Sequence, residues 1–90
     1  MNSRTTSGFW ALFARLPKQV QEQARRAHQQ FLADSSHRGL RFKQVHGSRP
    51  IYSARVGLSY RVHGTRDRDT VVWFWIGSHA EYDRILKGGV

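Results

Sequence analysis

Arg55 and Arg61 lie six residues apart, and His79 and Tyr82 lie three apart further along the chain. Two neighbouring guanidinium groups offer a planar fork of donors that matches phosphate oxygens. Imidazole moves protons near neutral pH. A phenol or an amine can act as a base there only when nearby cations shift a pKa that starts near 10. These side chains are the parts of a site that grips a phosphate and transfers a proton beside it. The residues between the arginines decide whether they meet. With Gly57-Leu58-Ser59 as a three-residue hairpin loop, Val56 faces Tyr60, Arg55 faces Arg61 and Ser53 faces His63. One face then carries Tyr52, Ala54, Val56, Tyr60 and Val62, and the other Ser53, Arg55, Arg61 and His63. A two-residue loop would set arginines opposite core residues, so the apolar pattern selects the longer loop. Side-by-side arginines repel. The fold gains nothing from them, whereas a bound phosphate would reward them, so both are expected to point to solvent on one open face.

Lys43, between Phe42 and Gln44, extends this face on the preceding strand, with Arg41 nearby. As plain edge-strand charges the two would only discourage aggregation. His79 follows a strand and opens a helix; its bland alternative is a polar helix-start residue with no task. The five histidines lack metal-ligand spacing and there is no cysteine, so no metal or other cofactor is expected.

The wider composition suits a phosphate-bearing partner. The ninety residues carry fifteen Lys+Arg, twelve of them Arg, against six Asp+Glu, for a net charge of +9. From His37 to Arg66 there are seven Lys/Arg, three His and no carboxylate. Such a balance favours a polyanion, with nucleic acid first. At 39% hydrophobic residues the chain has enough apolar material for a core. The length fits one domain over residues 1–90. The absence of cysteine fits a reducing compartment, and no apolar run reaches the ~18 residues of a membrane span. The apolar run Phe9–Phe13 is shorter than the ~7–15 residues of a signal sequence. A cytoplasmic protein is expected.

Helical elements come first in the chain. Phe9, Phe13, Leu16, Val20, Ala24, Ala27 and Phe31 recur at intervals of three and four. Pro17 interrupts this stripe and suits a first turn, which predicts helices over 7–15, capped by Ser7, and over 17–33. Residues 1–6 form a flexible start, or else a short extra strand lies within Met1–Ser7. After Gly39 the period becomes two, predicting strands over Leu40–His46, Ile51–Val56, Leu58–Gly64 and Thr70–Ile76, with turns at 47–50 and 66–69. The hairpin argument above moves Leu58 into the loop. Trp73-Phe74-Trp75 has little polar alternation, which reads as a strand covered on both sides. Ser78-His79-Ala80-Glu81 is a capping box for a last helix with apolar Tyr82, Ile85 and Leu86, stopped at Gly88-Gly89. The fold class is α+β: a mainly antiparallel four-stranded sheet, two N-terminal helices packed on one face and a short C-terminal helix.

The run from Tyr52 to Arg61, followed by Trp73-Phe74-Trp75-Ile76-Gly77-Ser78-His79-Ala80-Glu81-Tyr82, resembles the RelE/ParE superfamily of type II toxin–antitoxin toxins. Leu16-Pro17 at a helix start and Leu40-Arg41-Phe42-Lys43 fit the same layout, so the likeness spans about residues 9–86. It implies a toxin with a microbial RNase fold whose open sheet face meets RNA. RelE-like members cleave mRNA in the ribosomal A site, whereas ParE-like members poison DNA gyrase. By position, Arg61 matches the family's sheet arginine and Arg55 a basic position on the preceding strand. His79 and Tyr82 match the C-terminal part of the site. Ser53 falls where some members have lysine, and His79 where some have arginine. The resemblance thus implies catalytic roles for Arg55, Arg61, His79 and Tyr82, and RNA contacts for Arg41, Lys43, Ser53 and His63, with no metal. The implied partners are a cognate antitoxin, the ribosome and its mRNA. Two other readings stand beside the ribonuclease: a gyrase poison acting through protein contacts, and a non-catalytic basic nucleic-acid-binding domain. Which of His79, Tyr82 and Lys43 is base or acid stays open at this level.

Overall fold

The computed structural model describes residues 1–88, with side chains described as far as Arg84. The Ile85 and Leu86 side chains, expected to form an apolar side, and Gly89 of the expected stop lie outside what is described.

The chain runs β1 (Asn2–Thr5), α1 (Ser7–Ala14), α2 (Lys18–Ala33), a 3-10 turn (Arg38–Leu40), β2 (Lys43–Gln44), β3 (Ile51–Val56), β4 (Tyr60–Asp67), β5 (Thr70–Ser78) and α3 (His79–Gly88). The sheet order is β1-β5-β4-β3-β2. Five strands replace the expected four, and the sheet is mixed, because β1 pairs with β5 in parallel. The chain start is held there by Asn2 N–H on the Asp69 carbonyl and Thr6 N–H on that of Trp73. The Trp73 indole also donates to the Ser3 hydroxyl.

The helix stripe does what its spacing predicts. Phe9, Phe13 and Phe31 bury against Ala54, Val56, Val62, Val71, Trp73 and Ile76 of the sheet. Thr6, not Ser7, caps α1: its hydroxyl accepts from Phe9 N–H at 3.1 Å. Pro17 stands just before α2, where its missing N–H costs nothing, and its carbonyl accepts from Val20 and Gln21.

The expected strand Leu40–His46 shrinks to the two residues of β2. His37 accepts from Gly39 N–H and closes the 3-10 turn, which buries Leu40 in the core. Arg41 then takes a left-handed backbone (φ 47°), which no strand continues through. By contrast, the three-residue hairpin loop is present. Val56 pairs with Tyr60, Arg55 with Arg61 and Ser53 with His63, and Gly57 takes φ 61°. β4 and β5 run longer than expected, leaving Arg68-Asp69 as their turn, with Arg68 left-handed. A bulge at Phe74 shifts their register beside Gly64. A Cβ on Gly64 would lie 2.6 Å from Val71 Cγ1 and 2.8 Å from Trp73 Cε3, so the close approach requires glycine. Trp73 is core, whereas Phe74, displaced by the bulge, is 38% exposed rather than covered.

Ser78 and Glu81 form the capping box. Glu81 N–H donates to the Ser78 hydroxyl, and the Glu81 carboxylate accepts from Ser78 N–H, each at 3.1 Å. The helices do not all share a face. Tyr82 of α3 stacks on His63, on the side of the sheet away from Val62 and the α1–α2 layer.

Candidate active site

Strand alternation sends Arg61 and His63 to the face opposite the core. The capping box fixes the first turn of α3 directly after β5, and His79 N–H donates to the Ser59 carbonyl of the neighbouring hairpin loop at 2.7 Å. Edge strand β2 supplies the third wall through the pairing of Lys43 with Ser53. The result is an open cleft of about 410 Å³ lined by Lys43, Gln44, Val45, Arg61, His79 and Tyr82.

Arg61 is held from below. Its Nη1 donates to the Ser53 hydroxyl at 3.1 Å, and its guanidinium carbon lies 5.8 Å from the centre of the Tyr82 ring. Arg61 Nε is buried without a hydrogen-bond partner among the described residues. Tyr82 rests on His63, ring centres 4.3 Å apart and planes 32° from parallel, while Trp75 meets His63 edge-on at 5.0 Å. His63 Nε2 is likewise buried and unpartnered among the described residues. Burial, and then the Arg61 charge, pushes the His63 pKa down from 6.5 to about 4, so this imidazole is neutral at physiological pH. Burial raises the Tyr82 pKa above its ordinary value, against the pull of Arg61 and with a push from Asp83. Its hydroxyl therefore keeps its proton through the neutral range. His79 stands half-exposed with Nε2 at 3.8 Å from the Asp83 carboxylate, one helical turn on.

Of the eight residues singled out in the sequence, the cleft lining includes Lys43, Arg61, His79 and Tyr82. Ser53 and His63 share the face but form its floor, at 0% and 6% exposure, and they support Arg61 and Tyr82 instead of meeting solvent. Arg55 has the expected register but not the expected company. β2 ends before it, so β3 is an open edge there. Arg55 Nε donates to the Gly57 carbonyl at 2.9 Å, and the side chain lines a separate groove with Gln23, Arg26 and His37. The two arginines therefore do not share one cleft. Arg41, turned by its left-handed backbone, is exposed and outside the cleft. Sequence reasoning missed Gln44, whose amide ties β2 to the following loop by donating to the carbonyls of His46 and Arg49, each at 2.8 Å. Its neighbour Lys43 drew attention by charge; a neutral amide gives no such signal.

The sequence profile of the ParE-like toxin domain matches residues 18–84. No curated protein matches by sequence. Several solved structures share the fold. YafQ from E. coli superposes with a TM-score of 0.71 at 8% identity, covering 90% of this chain and 96% of its own. The RelB–RelE antitoxin–toxin complex from Methanococcus jannaschii gives 0.67 at 18% identity, over 89% and 95%. The toxin–antitoxin complex RelBE2 from Mycobacterium tuberculosis gives 0.60 at 24% identity, over 87% and 96%. At these identities the likeness is one of fold.

Proposed function

This chain belongs to the ParE-like toxin domain family, within the RelE/ParE superfamily, and from the side chains of its cleft, not from the family alone, we propose that it is a ribosome-dependent mRNA endoribonuclease. The observation that carries this reading is the meeting of Lys43, Arg61, His79 and Tyr82 in one cleft. Cleavage by attack of the ribose 2′-OH needs a base, a cation for the charge building on the phosphate, and an acid. His79, with its Nε2 at 3.8 Å from the Asp83 carboxylate, takes the 2′-OH proton. The 2′ oxygen attacks phosphorus while Arg61, preorganised on Ser53, holds the non-bridging oxygens with help from Lys43. Tyr82, a phenol that is protonated in the neutral range and that burial keeps so, gives its proton to the departing 5′ oxygen. The products are a 2′,3′-cyclic phosphate and a 5′-hydroxyl, and no metal is called upon. Arg55 contributes charge outside the cleft, not a second hand on the same phosphate.

The partner that restrains this activity is an antitoxin with an acidic or amphipathic segment suited to the basic face; the archaeal and mycobacterial neighbours are themselves toxin–antitoxin complexes. Leu58, 83% exposed at the tip of the β3–β4 hairpin, favours a second reading in which the target is a protein such as gyrase. One experiment separates the two. Protein added to a translating extract cuts mRNA to cyclic-phosphate ends, His79→Ala does not, and gyrase supercoiling is unaffected. Growth arrest with intact mRNA and blocked supercoiling would select the gyrase reading.

A further inference from the structure

Beyond the cleft, at the end of the sheet where β2, β3 and β4 meet the β4–β5 turn, a second groove of about 500 Å³ has Gln44, Arg49, Tyr52, Arg66 and Arg68 in its lining. Arg66 is fixed on three sides. Its N–H donates to the Pro50 carbonyl, its Nε donates to the Arg68 carbonyl at 3.0 Å, and its guanidinium lies 5.1 Å from the Tyr52 ring centre and 5.9 Å from that of Phe42. Shielding the end of the aromatic cluster would explain one arginine. It does not explain Arg49 and Arg68 beside it. Asp67 and Asp69 flank Arg68 in sequence, yet they do not line the groove, and among the described residues the one ion-pair contact is His79–Asp83. Three uncompensated guanidinium groups around a planar stack await an anion that carries a flat group.

The groove and the cleft meet at edge strand β2, where they share one lining residue, Gln44. Lys43 faces the cleft with Ser53, and Gln44, on the other face of the same two-residue edge strand, lines both. Along β4 the five residue steps from Arg61 to Arg66 span about 17 Å. We propose that this groove is a second subsite for single-stranded RNA, in which a phosphate sits among Arg49, Arg66 and Arg68 and a base stacks on the outer face of the Arg66–Tyr52 pair, the strand passing from the cleft around edge strand β2. The assignment rests on the ribonuclease reading for the identity of its ligand. Guanidinium planes and aromatic rings are the usual stacking partners of unpaired bases, whereas an acidic peptide would use the charge but leave the plane idle.

The test is fluorescence anisotropy with a labelled 2′-O-methyl decanucleotide, which cannot be cut. Arg66→Ala binds about 10- to 100-fold more weakly, the worth of one base stack. Arg66→Lys keeps the salt dependence but not the affinity. Because Arg66 also covers Tyr52, the double variant Arg49→Ala/Arg68→Ala, which alters exposed side chains alone, provides a check without a packing change. Its log–log salt slope becomes shallower by about 0.7 per lost phosphate contact. Groove variants that bind RNA like wild type, or that lose only an acidic antitoxin segment, overturn the subsite. The cleft is scored separately by cleavage of unmodified mRNA with Arg61→Ala. Weak RNA binding by groove variants, with wild-type cleavage by Arg61→Ala, would keep the subsite and sink the ribonuclease site. Absence of RNA binding by the wild-type protein would sink both.

Discussion

Replacing His63 by phenylalanine isolates a single titration beneath the cleft. In the folded protein, burial and Arg61 hold the imidazole neutral down to about pH 4, against an ordinary 6.5. The unfolded chain takes up that proton earlier. Stability from this group is therefore complete above about pH 6.5 and is lost as pH falls toward 4. The depression corresponds to roughly 3 kcal/mol, most of it gone by pH 4.5. Phenylalanine keeps a ring between Trp75 and Tyr82, 5.0 and 4.3 Å away in the native stack. It removes both the titrating group and the unpartnered Nε2. Urea denaturation from pH 7.5 to 4.5 reads the difference. With a slope of about 1–3 kcal/mol per molar, the wild-type midpoint falls by about 1–3 M across this range, and that of His63→Phe falls far less. Glu81 and Asp34, held below their ordinary pKa by hydrogen bonds from Ser78 and Ser36, titrate at lower pH and are common to both proteins. Equal pH slopes for the two would refute the buried neutral imidazole.

Arg61→Ala lowers the mRNA cleavage rate by ~10²–10³, as loss of one charge-stabilising donor does, while thermal melts show a folded protein; a wild-type rate would place the phosphate elsewhere. Tyr82→Phe preserves the stack on His63 but removes the donated proton, a loss of ~10²–10⁴ in single-turnover cleavage, and unchanged turnover would mean that another group is the acid. Gly64→Ala drives a methyl into Val71, Trp73 and the Val72 carbonyl; overpacking of this kind costs about 1–3 kcal/mol, read as a melting temperature lower by roughly 4–8 °C per kcal/mol, and an unchanged melt would show that the β4–β5 contact yields easily.

Where one face of an element is apolar, the sequence carries its placement openly. The Phe9-to-Phe31 stripe and the Val56/Tyr60 alternation specify α1, α2 and the hairpin register, because a one-residue slip would put arginine in the core. The capping box is legible for a similar reason: two side chains satisfy two specific backbone amides. β1 is not legible. Asn2–Thr5 has no apolar alternation, and its strand exists because β5 offers an unpaired edge and Trp73 a donor for Ser3. The shortening of β2 is equally hidden, since it comes from the turn closed by His37 and the left-handed Arg41. Register also has a limit. It puts Arg55 and Arg61 side by side as backbone partners, yet their long side chains diverge, one to Gly57 and the other to Ser53. Local acceptors, not strand alternation, direct the last four atoms of an arginine.

The cleft is also where the chain departs from the rules that build the rest of it. Buried polar atoms are nearly always partnered, yet Arg61 Nε and His63 Nε2 are buried and unpartnered among the described residues, two residues apart on one strand. Leaving such a group unsatisfied costs about 1–3 kcal/mol. An apolar pair would suit the aromatic surroundings made by Trp75 and Tyr82 better. What the polar pair supplies is position. The neutral imidazole gives Tyr82 a flat support without adding a second positive charge beside Arg61. Among the described residues the Arg61 guanidinium donates through Nη1 to Ser53 and lies over the Tyr82 ring, and on the proposed reading its outer Nη2 is the group offered to a phosphate. On the proposed ribonuclease reading, the stability given up at these two atoms and the phosphate grip above them have one structural origin. The fold tolerates it because the capping box, the β4–β5 ladder and the aromatic core hold the surrounding backbone in place.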